Sequence, residues 1–232
     1  MINCLWCGKK ETEKLRLGDL ILFKKIESTV CCQECRQKLV KLAGRSVCPG
    51  CCREWLEAGL CSDCLRWQAD YPDYVFKQIA LYQYNAFLKE WIEAFKYKGD
   101  HRLAQLFKQE VREYFNQPVH KNKICIPIPI SQTSLELRGF NQVEAILQAA
   151  EIAYLPVLHH IGTGKKQSSK DRKGRMLSPQ PFQLDERYRE QLKDRDVILV
   201  DDVYTTGRTL FHAAELLRTT ELKTIETFTI AR

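Results

Sequence analysis

The sequence lacks any apolar run that approaches the roughly 18 residues needed to cross a bilayer. Its first ten residues, MINCLWCGKK, contain neither the apolar core of a signal peptide nor a transit-peptide pattern. The nucleotide-binding patterns G-x-x-x-x-G-K-[ST] and G-x-G-x-x-G are also absent, which counts against a P-loop NTPase and a dinucleotide-binding Rossmann site. These absences predict a cytoplasmic protein whose ligand site is of another kind.

Histidine is scarce, and none of the five histidines lies near the cysteines that crowd the start of the chain. Ten of the eleven cysteines precede residue 65, and four C-x-x-C pairs stand among them. Without a secretion signal, this pattern favours metal binding over disulfides. Thiolates favour zinc over harder cations, and a site of four thiolates leaves no position for a catalytic water, so the predicted sites are structural.

The pairing of the C-x-x-C motifs stays open at this stage. Sequential pairing gives two zinc ribbons, and interleaved pairing is the alternative. Cys31 and Cys52 are alternative donors to Cys32 and Cys51, and residues 15–29 suit a short hairpin between the first two pairs. An iron–sulfur cluster is the minor alternative to zinc. The predicted ligands are Cys4, Cys7, Cys32 and Cys35 for one site, and Cys48, Cys51, Cys61 and Cys64 for the other.

After residue 70 the cysteines stop and the hydrophobic periodicity changes, which predicts a zinc-binding domain at 1–70 and a second domain at 71–232. In the second domain, strand-like and helix-like segments alternate. This alternation predicts an α/β fold with a parallel sheet covered by helices on both faces. Strands are predicted at 75–84, 123–130, 155–161, 196–202 and 223–231, with helices at 85–115 (broken at Gly99), 141–151 and 207–220.

The stretch VILVDDVYTTGRTL, residues 197–210, places two carboxylates at the end of a buried strand, before a loop that opens a helix. Such a loop directs N–H groups at one spot, and a phosphate suits it. The threonines add hydroxyls, Gly207 permits close approach of the backbone, and the carboxylates suit sugar hydroxyls or magnesium. The alternative, a purely structural role, is that these residues cap the turn and the helix. The candidate residues are Asp201, Asp202, Thr205, Thr206, Gly207 and Thr209.

This stretch resembles the phosphoribosyl-pyrophosphate motif of type I phosphoribosyltransferases, in which the acidic pair meets the ribose hydroxyls and the loop holds the 5-phosphate. IPIPI at 126–130 corresponds to the pyrophosphate loop by position, and Arg138 is a candidate for the diphosphate. On the residues alone, an Arg138 paired with a nearby carboxylate is as good an interpretation. The resemblance also implies magnesium bound together with phosphoribosyl pyrophosphate.

Read as a whole, the chain resembles the ComF family of late-competence proteins. The likeness rests on the cysteine-rich start, FKYKGD at 95–100, RGFNQ at 138–142, a basic loop at 162–181 and the DDVYTTG site. In the basic loop, Gln167, Arg175 and Phe182 match the family, whereas Ser178 stands in place of the expected Asn. The phosphoribosyltransferase-like fold and a part in the uptake of transforming DNA follow from the resemblance.

Two functions from different classes therefore compete. The first is a DNA-uptake factor that binds phosphoribosyl pyrophosphate or single-stranded DNA and docks a competence helicase through its zinc domain. The net charge of +7 fits a phosphate-rich partner. The second is an active phosphoribosyltransferase with an unidentified acceptor. A salvage transferase is a weaker variant of the second, because such enzymes do not need the cysteine-rich segment.

A few remaining residues were assigned local roles. Lys96 and Lys98 are predicted to be the solvated end of an amphipathic helix, with a nucleic-acid role beside Tyr97 as the alternative. Asn141 is predicted to cap a helix. His159 and His160 have structural or surface roles rather than metal ligation, and Cys125 is expected to be a small buried residue.

Overall fold

A computed structural model describes residues 2–11, 30–71, 77–162 and 179–232. The predicted hairpin at 15–29 and most of the basic loop, including Gln167, Arg175 and Ser178, lie outside these ranges. The strands are β1 (Ile2–Asn3), β2 (Lys10–Glu11), β3 (Gln78–Tyr82), β4 (Ile124–Pro127), β5 (Leu158–His160), β6 (Phe182–Leu184), β7 (Asp196–Val203) and β8 (Thr224–Ala231).

The helices are short, as expected for connections in an α/β sheet. They are α1 (Gln33–Arg36), α2 (Ser62–Asp70), α3 (Ala86–Tyr97), α4 (Lys108–Phe115), α5 (Gln132–Arg138), α6 (Gln142–Ala149), α7 (Arg189–Leu192) and α8 (Arg208–Arg218). Two 3₁₀ segments, His101–Phe107 and Glu186–Tyr188, precede α4 and α7. The predicted helical break falls at Gly99, which has a φ of +67°. No helix within the described residues is long and apolar enough to cross a membrane.

The central sheet has four parallel strands in the order β3-β8-β7-β4. Its two faces are buried against different clusters. Along β7, Ile198 and Val200 pack with α3, α4 and α6, whereas Val197 and Leu199 pack with α8. This alternation follows from the two-residue period of a strand. The parallel sheet with apolar cover on both faces is as predicted, and the β5-β6 pair is a separate antiparallel ribbon.

The connections that leave β4 and β7 depart to opposite faces. The chain after β4 enters α5 and then α6, which packs in the cluster of Ile198, while the chain after β7 enters α8 in the other cluster. Because β4 and β7 are neighbours, their carboxyl ends flank a crevice. This is the place at which open α/β sheets bind ligands.

The cysteine-rich region packs directly on the rest of the chain. The cluster that contains Cys4, Cys32 and Cys35 also contains the core of α3, and the cluster that contains Cys48 and Cys61 also contains α8. Both groups of cysteines therefore share hydrophobic packing with the sheet. The boundary predicted near residue 70 remains a prediction.

Candidate functional site

The acidic pair lies at the carboxyl end of β7, at the edge of the crevice. Asp202 is only 6% exposed, and its Oδ2 forms an ion pair with Nζ of Lys96, whose side chain is 20% exposed. Burial and the neighbouring charge of Asp202 raise the pKa of Asp201 well above its usual value, although Lys96 opposes this rise. Among the residues that the structure describes, the ammonium group of Lys96 is the counter-charge that contacts the pair.

The prediction that Lys96 is solvated is wrong. Burial lowers the pKa of Lys96, but the carboxylate of Asp202 outweighs this effect, so the pKa is raised and the ammonium form is favoured. A signal for this contact is present in the sequence. Leu88, Ile92 and Lys96 follow one another at four-residue spacing along α3, and both apolar members are buried. A lysine that continues a buried stripe requires a partner. Lys98, by contrast, is exposed as expected.

The loop after β7 has the shape expected of an anion site. Gly207 has a φ of +81°, and a Cβ there would collide with the Tyr204 side chain, so glycine is required. Thr205 and Thr209 are exposed and Thr206 is half-buried. Within the described chain, the backbone N–H groups of Thr205, Thr206 and Gly207 have no hydrogen-bond acceptor. They are therefore available to a ligand at the N-terminus of α8.

The capping interpretation of the threonines accounts for only one weak contact. The backbone N–H of Arg208 donates to Oγ1 of Thr206 at 3.4 Å. The N-cap position itself is Gly207, which has no side chain to accept a bond. Helix capping therefore does not explain the three hydroxyl residues.

Arg138 lies beside the crevice at the end of α5. Its Nη1 donates to Oε1 of Gln142 at 2.8 Å, and its guanidinium lies 5.8 Å from the ring centre of Tyr97. Its Nε is buried and lacks a hydrogen-bond partner among the residues that the structure describes. The contact is with an amide and not with a carboxylate, so this bond leaves the positive charge of Arg138 without a counter-charge. Asn141 caps α6 by accepting from the N–H of Val143 at 2.9 Å, as predicted.

Two tetrads of cysteine sulfurs correspond to the sequential pairing. Within each tetrad all Sγ atoms lie within 4.8 Å of one another. We name Cys4, Cys7, Cys32 and Cys35 the first tetrad, and Cys48, Cys51, Cys61 and Cys64 the second tetrad.

The sulfur geometry fits a tetrahedral ion. A Zn–S bond of about 2.3 Å implies an S–S edge of about 3.8 Å. The Sγ–Sγ distances are 3.6 Å for Cys7–Cys32, 3.7 Å for Cys48–Cys64 and 3.6 Å for Cys51–Cys61. The tetrads can therefore hold a metal ion such as zinc.

The surroundings of the second tetrad also suit thiolate ligands. The N–H of Cys61 donates to Sγ of Cys48 at 3.2 Å. Hydrogen bonds from Cys64 and Arg232 lower the pKa of Cys51 to about 4, whereas burial raises the pKa of Cys61 and the bond to Cys51 raises that of Cys64. A Cβ at Gly50 would lie 2.9 Å from Sγ of Cys64, so this turn has no room for a side chain. The backbone is thus closed tightly around the sulfurs.

The alternative donors Cys31 and Cys52 lie outside the tetrads. Burial raises the pKa of Cys31 to about 12, which keeps this thiol protonated. Burial also raises the pKa of Cys52, whose Sγ contacts the carbonyl oxygen of Ala80 at 3.9 Å. Neither sulfur belongs to a group of four that lies close enough to surround one ion.

The remaining sequence assignments concern single residues. Nε2 of His159 lies 3.4 Å from Oδ2 of Asp185, and Nδ1 of His160 accepts from the N–H of Gly162 at 3.1 Å. Both contacts are structural, as expected. Cys125 is 4% exposed within β4, and burial raises the pKa of its thiol.

Comparison with known proteins gives a family match and a distant structural likeness. A family model described as the phosphoribosyl transferase domain matches residues 144–232. A hypoxanthine phosphoribosyltransferase structure from Staphylococcus aureus aligns with a TM-score of 0.31 and 12% identity, covering 58% of this chain and 63% of that chain. The predicted α/β phosphoribosyltransferase-like fold with a cysteine-rich N-terminal region is confirmed.

Two curated relatives match along the whole chain. Competence protein ComFC of Bacillus subtilis (strain 168) is 31% identical over 234 residues, covering 99% of this chain and 94% of that protein. Competence protein ComFC of Streptococcus pneumoniae (strain ATCC BAA-255 / R6) is 29% identical over 231 residues, covering 100% of both. On its cysteine tetrads, its crevice and this full-length similarity, the chain belongs to the ComF family of competence proteins.

Proposed function

We propose that this competence protein is a DNA-uptake factor whose crevice binds phosphoribosyl pyrophosphate with magnesium and whose crevice mouth binds single-stranded DNA. The observation that carries the proposal is the order of groups at one sheet edge. The carboxylates of Asp201 and Asp202 are followed directly by the unbonded N–H groups of Thr205, Thr206 and Gly207. This combination suits a vicinal diol joined to a phosphate.

Each part of such a ligand has a matching group on the chain. The N–H groups and hydroxyls of loop 204–207 suit the 5-phosphate. Asp201 and Asp202 suit the ribose hydroxyls, directly or through a magnesium ion that keeps most of its waters. The loop after β4 and the guanidinium of Arg138 suit the diphosphate, because arginine presents paired donors to phosphate oxygens. Lys96 balances the charge of Asp202 in the free protein.

Calorimetric titration with phosphoribosyl pyrophosphate and magnesium tests this assignment. The wild type is compared with Asp201→Asn/Asp202→Asn and with Asp196→Asn as a matched control. Asp196 lies in the same strand at its opposite end, where it pairs with Lys223. We expect the double variant to lose binding and the control to retain it. Equal affinity in all three proteins would place the ligand elsewhere, and no binding by the wild type would refute the proposal.

We further propose that each tetrad holds one structural zinc ion. The S–S distances support zinc, seven of the eight thiols are buried, and four sulfurs leave no open position for chemistry. Elemental analysis of the purified protein checks this directly. The expected result is two zinc ions per chain and no iron. One zinc ion per chain would contradict the assignment for one of the tetrads.

The mouth of the crevice carries a stacking surface suited to single-stranded DNA. The Tyr97 ring is 63% exposed and lies beside the Arg138 guanidinium. Base stacking on an aromatic ring contributes about 1–3 kcal/mol per base. Tyr97→Ala should therefore weaken binding of a labelled oligonucleotide at least about fivefold in an anisotropy titration, while the affinity for phosphoribosyl pyrophosphate stays unchanged. Val119→Ala, which changes another exposed apolar side chain, serves as the control.

A competence helicase is proposed to dock on the cysteine-rich region. Deleting residues 1–67 is a blunt test, because Cys48 and Cys61 belong to the same core cluster as α8. The exposed leucines of this region, Leu56 at 94% and Leu65 at 53%, allow a sharper one. Leu56→Asp/Leu65→Asp should abolish co-purification with the helicase. Leu137→Asp, at an exposed site on α5, should not, and retained binding by the double variant would remove this surface from consideration.

An active phosphoribosyltransferase is the second candidate, favoured by one observation. A cavity of about 420 Å³ borders the loop after β4 and is lined by Pro129, Phe140 and Glu144, among others. This volume is within the usual range for small-molecule sites. Release of pyrophosphate from phosphoribosyl pyrophosphate on addition of a nucleobase panel would support catalysis. Binding without release with every member of the panel supports the binding function.

A further inference from the structure

Arg232, which follows β8 directly, lies between the second tetrad and loop 204–207. Its Nε donates to the carbonyl oxygen of Cys51 at 3.1 Å, and its Nη2 lies 3.5 Å from Sγ of the same residue. Its Nη1 donates to the carbonyl oxygens of Thr205 at 3.2 Å and Tyr204 at 3.4 Å. The guanidinium also stacks on the Tyr204 ring at 4.8 Å. One side chain thus joins a metal-binding cysteine to the loop.

Trp67 provides a second connection from the same tetrad. It lies on α2, three residues after Cys64, and its Nε1 donates to the carbonyl oxygen of Thr206 at 3.0 Å. Its ring stacks on Phe211 of α8 at 4.8 Å, with an interplanar angle of 26°. Trp67 therefore connects α2 to the loop and to the first turns of α8.

Together these two side chains hold three successive carbonyl groups, those of residues 204, 205 and 206. In a trans peptide the C=O and the N–H of the next residue point in opposite directions. Fixing these carbonyls toward Arg232 and Trp67 therefore turns the N–H groups of Thr205, Thr206 and Gly207 away from them. These are the N–H groups that have no acceptor within the described chain.

The first tetrad makes no comparable contact among the described residues. Its neighbour Trp6 stacks on Trp91 of α3 at 5.2 Å, on the other face of the sheet. The two tetrads are thus distinguishable in their effect on the loop.

We infer that Arg232 and Trp67 are positioning residues which make the anion-binding geometry of loop 204–207 depend on metal in the second tetrad and not on metal in the first. This inference rests on the proposed phosphate role of the loop. A metal ion in the second tetrad fixes the position of Cys51. Arg232 bonds to Cys51 and holds the carbonyls of Tyr204 and Thr205. Trp67 holds the carbonyl of Thr206.

The test compares the wild type with Arg232→Ala and Arg232→Lys. Backbone ¹⁵N relaxation measures the order of amides 205–207 without any ligand. We expect order parameters of about 0.85 in the wild type and below about 0.6 in Arg232→Ala. Arg232→Lys should be intermediate, because an ammonium group cannot bridge two sites as a planar guanidinium does. Unchanged order parameters in Arg232→Ala would overturn the inference, whether or not phosphoribosyl pyrophosphate binds.

A ligand comparison separates this role from a general loss of structure. Arg232→Ala should weaken binding of ribose 5-phosphate at least about tenfold. Inorganic pyrophosphate, whose proposed site is the loop after β4, should bind to this variant with the same affinity as to the wild type. The variant should also retain two zinc ions per chain. Equal weakening of both ligands would overturn the inference.

Metal dependence is tested with one variant of each tetrad. Cys61→Ser should disorder amides 205–207, whereas Cys7→Ser should leave them as in the wild type while losing one metal ion. Disorder of the loop in Cys7→Ser would contradict the assignment to the second tetrad. If Cys61→Ser fails to fold, the order parameters of amides 205–207 in Arg232→Ala decide whether the inference holds.

Discussion

The first and second tetrads share one spacing pattern but have different surroundings. Cys7 of the first tetrad is exposed, whereas all members of the second tetrad are buried. The first tetrad packs against α3 through Trp6, and the second contacts loop 204–207 through Arg232. Spacing indicates that a metal can bind, while the neighbours of the site determine what that metal supports.

Each tetrad contacts a different element that borders the crevice. Trp91, which receives the ring of Trp6, lies on the same helix as Lys96, the partner of Asp202. Through Trp6, the first tetrad therefore contacts the helix that carries Lys96. The second tetrad is joined to loop 204–207 by the hydrogen bonds of Arg232 and Trp67. Variants on each route should have separable effects.

The largest expected effect comes from removing a sulfur ligand from each tetrad. Cys61→Ser should lower the free energy of unfolding by more than about 4 kcal/mol, because loss of a structural metal is among the most damaging changes. Cys7→Ser should cost roughly half as much although it also loses its metal ion, because Cys7 is exposed and the first tetrad is the less buried of the two. Urea unfolding measures both. A larger loss for Cys7→Ser would reverse the comparison.

The next effect concerns the α3 route. Lys96→Met leaves the buried carboxylate of Asp202 without its counter-charge, which should lower the free energy of unfolding by about 3–5 kcal/mol. Lys98→Met, two residues later on the exposed surface, should change it by less than about 0.5 kcal/mol. Thermal and urea unfolding of the pair measure the difference. Equal stabilities would show that the ion pair with Asp202 is not needed for folding.

A smaller effect is expected for the indole that contacts the loop. Trp67→Phe keeps most of the packing on Phe211 but removes the hydrogen bond to Thr206, which should cost about 0.5–1.5 kcal/mol. The affinity for ribose 5-phosphate should fall several-fold. Trp6→Phe is the matched change beside the first tetrad and should leave that affinity unaltered. A loss of affinity in Trp6→Phe but not in Trp67→Phe would show that the first tetrad, and not the second, supports the loop.

The smallest expected effect is a difference in pH dependence between the two ends of β7. Burial raises the pKa of Asp201, so stability from this group is present below pH 3.8 and is lost as pH rises through the folded-state pKa. Hydrogen bonding from Thr224 lowers the pKa of Asp196, which gives the opposite sign. As pH rises from 4 to 8, Asp201→Asn should therefore gain stability relative to the wild type.

Asp196→Asn is the control for that measurement. It should lose stability relative to the wild type above pH 3.8, because the favourable ionised form is removed. Urea unfolding at several pH values gives both trends. Parallel trends in the two variants would contradict the assigned pKa directions.

Much of this architecture could be predicted from local sequence patterns. The C-x-x-C spacing gave the eight sulfurs that the structure brings together, and VDDVYTTG marked the sheet edge at which the crevice lies. The alternation of apolar residues gave the parallel sheet. These features are local because a turn, a strand end or a helix start is specified by a few adjacent residues.

The contacts that connect these parts were not predicted. The bond from Trp67 to Thr206 spans 139 positions and that from Arg232 to Cys51 spans 181. Periodicity carries no information about which distant surfaces meet. The charge of Lys96 favours solvent, whereas its place on the buried stripe of α3 indicates a buried partner. Its position four residues after Ile92 was the available signal.

The most direct test of the account is a crystal structure of the protein with phosphoribosyl pyrophosphate and magnesium. We predict the 5-phosphate against the N–H groups of Thr205, Thr206 and Gly207, and the ribose hydroxyls or their magnesium ion against Asp201 and Asp202. Ligand density away from the carboxyl ends of β4 and β7 would contradict the account. So would an empty crevice in crystals grown at a saturating ligand concentration.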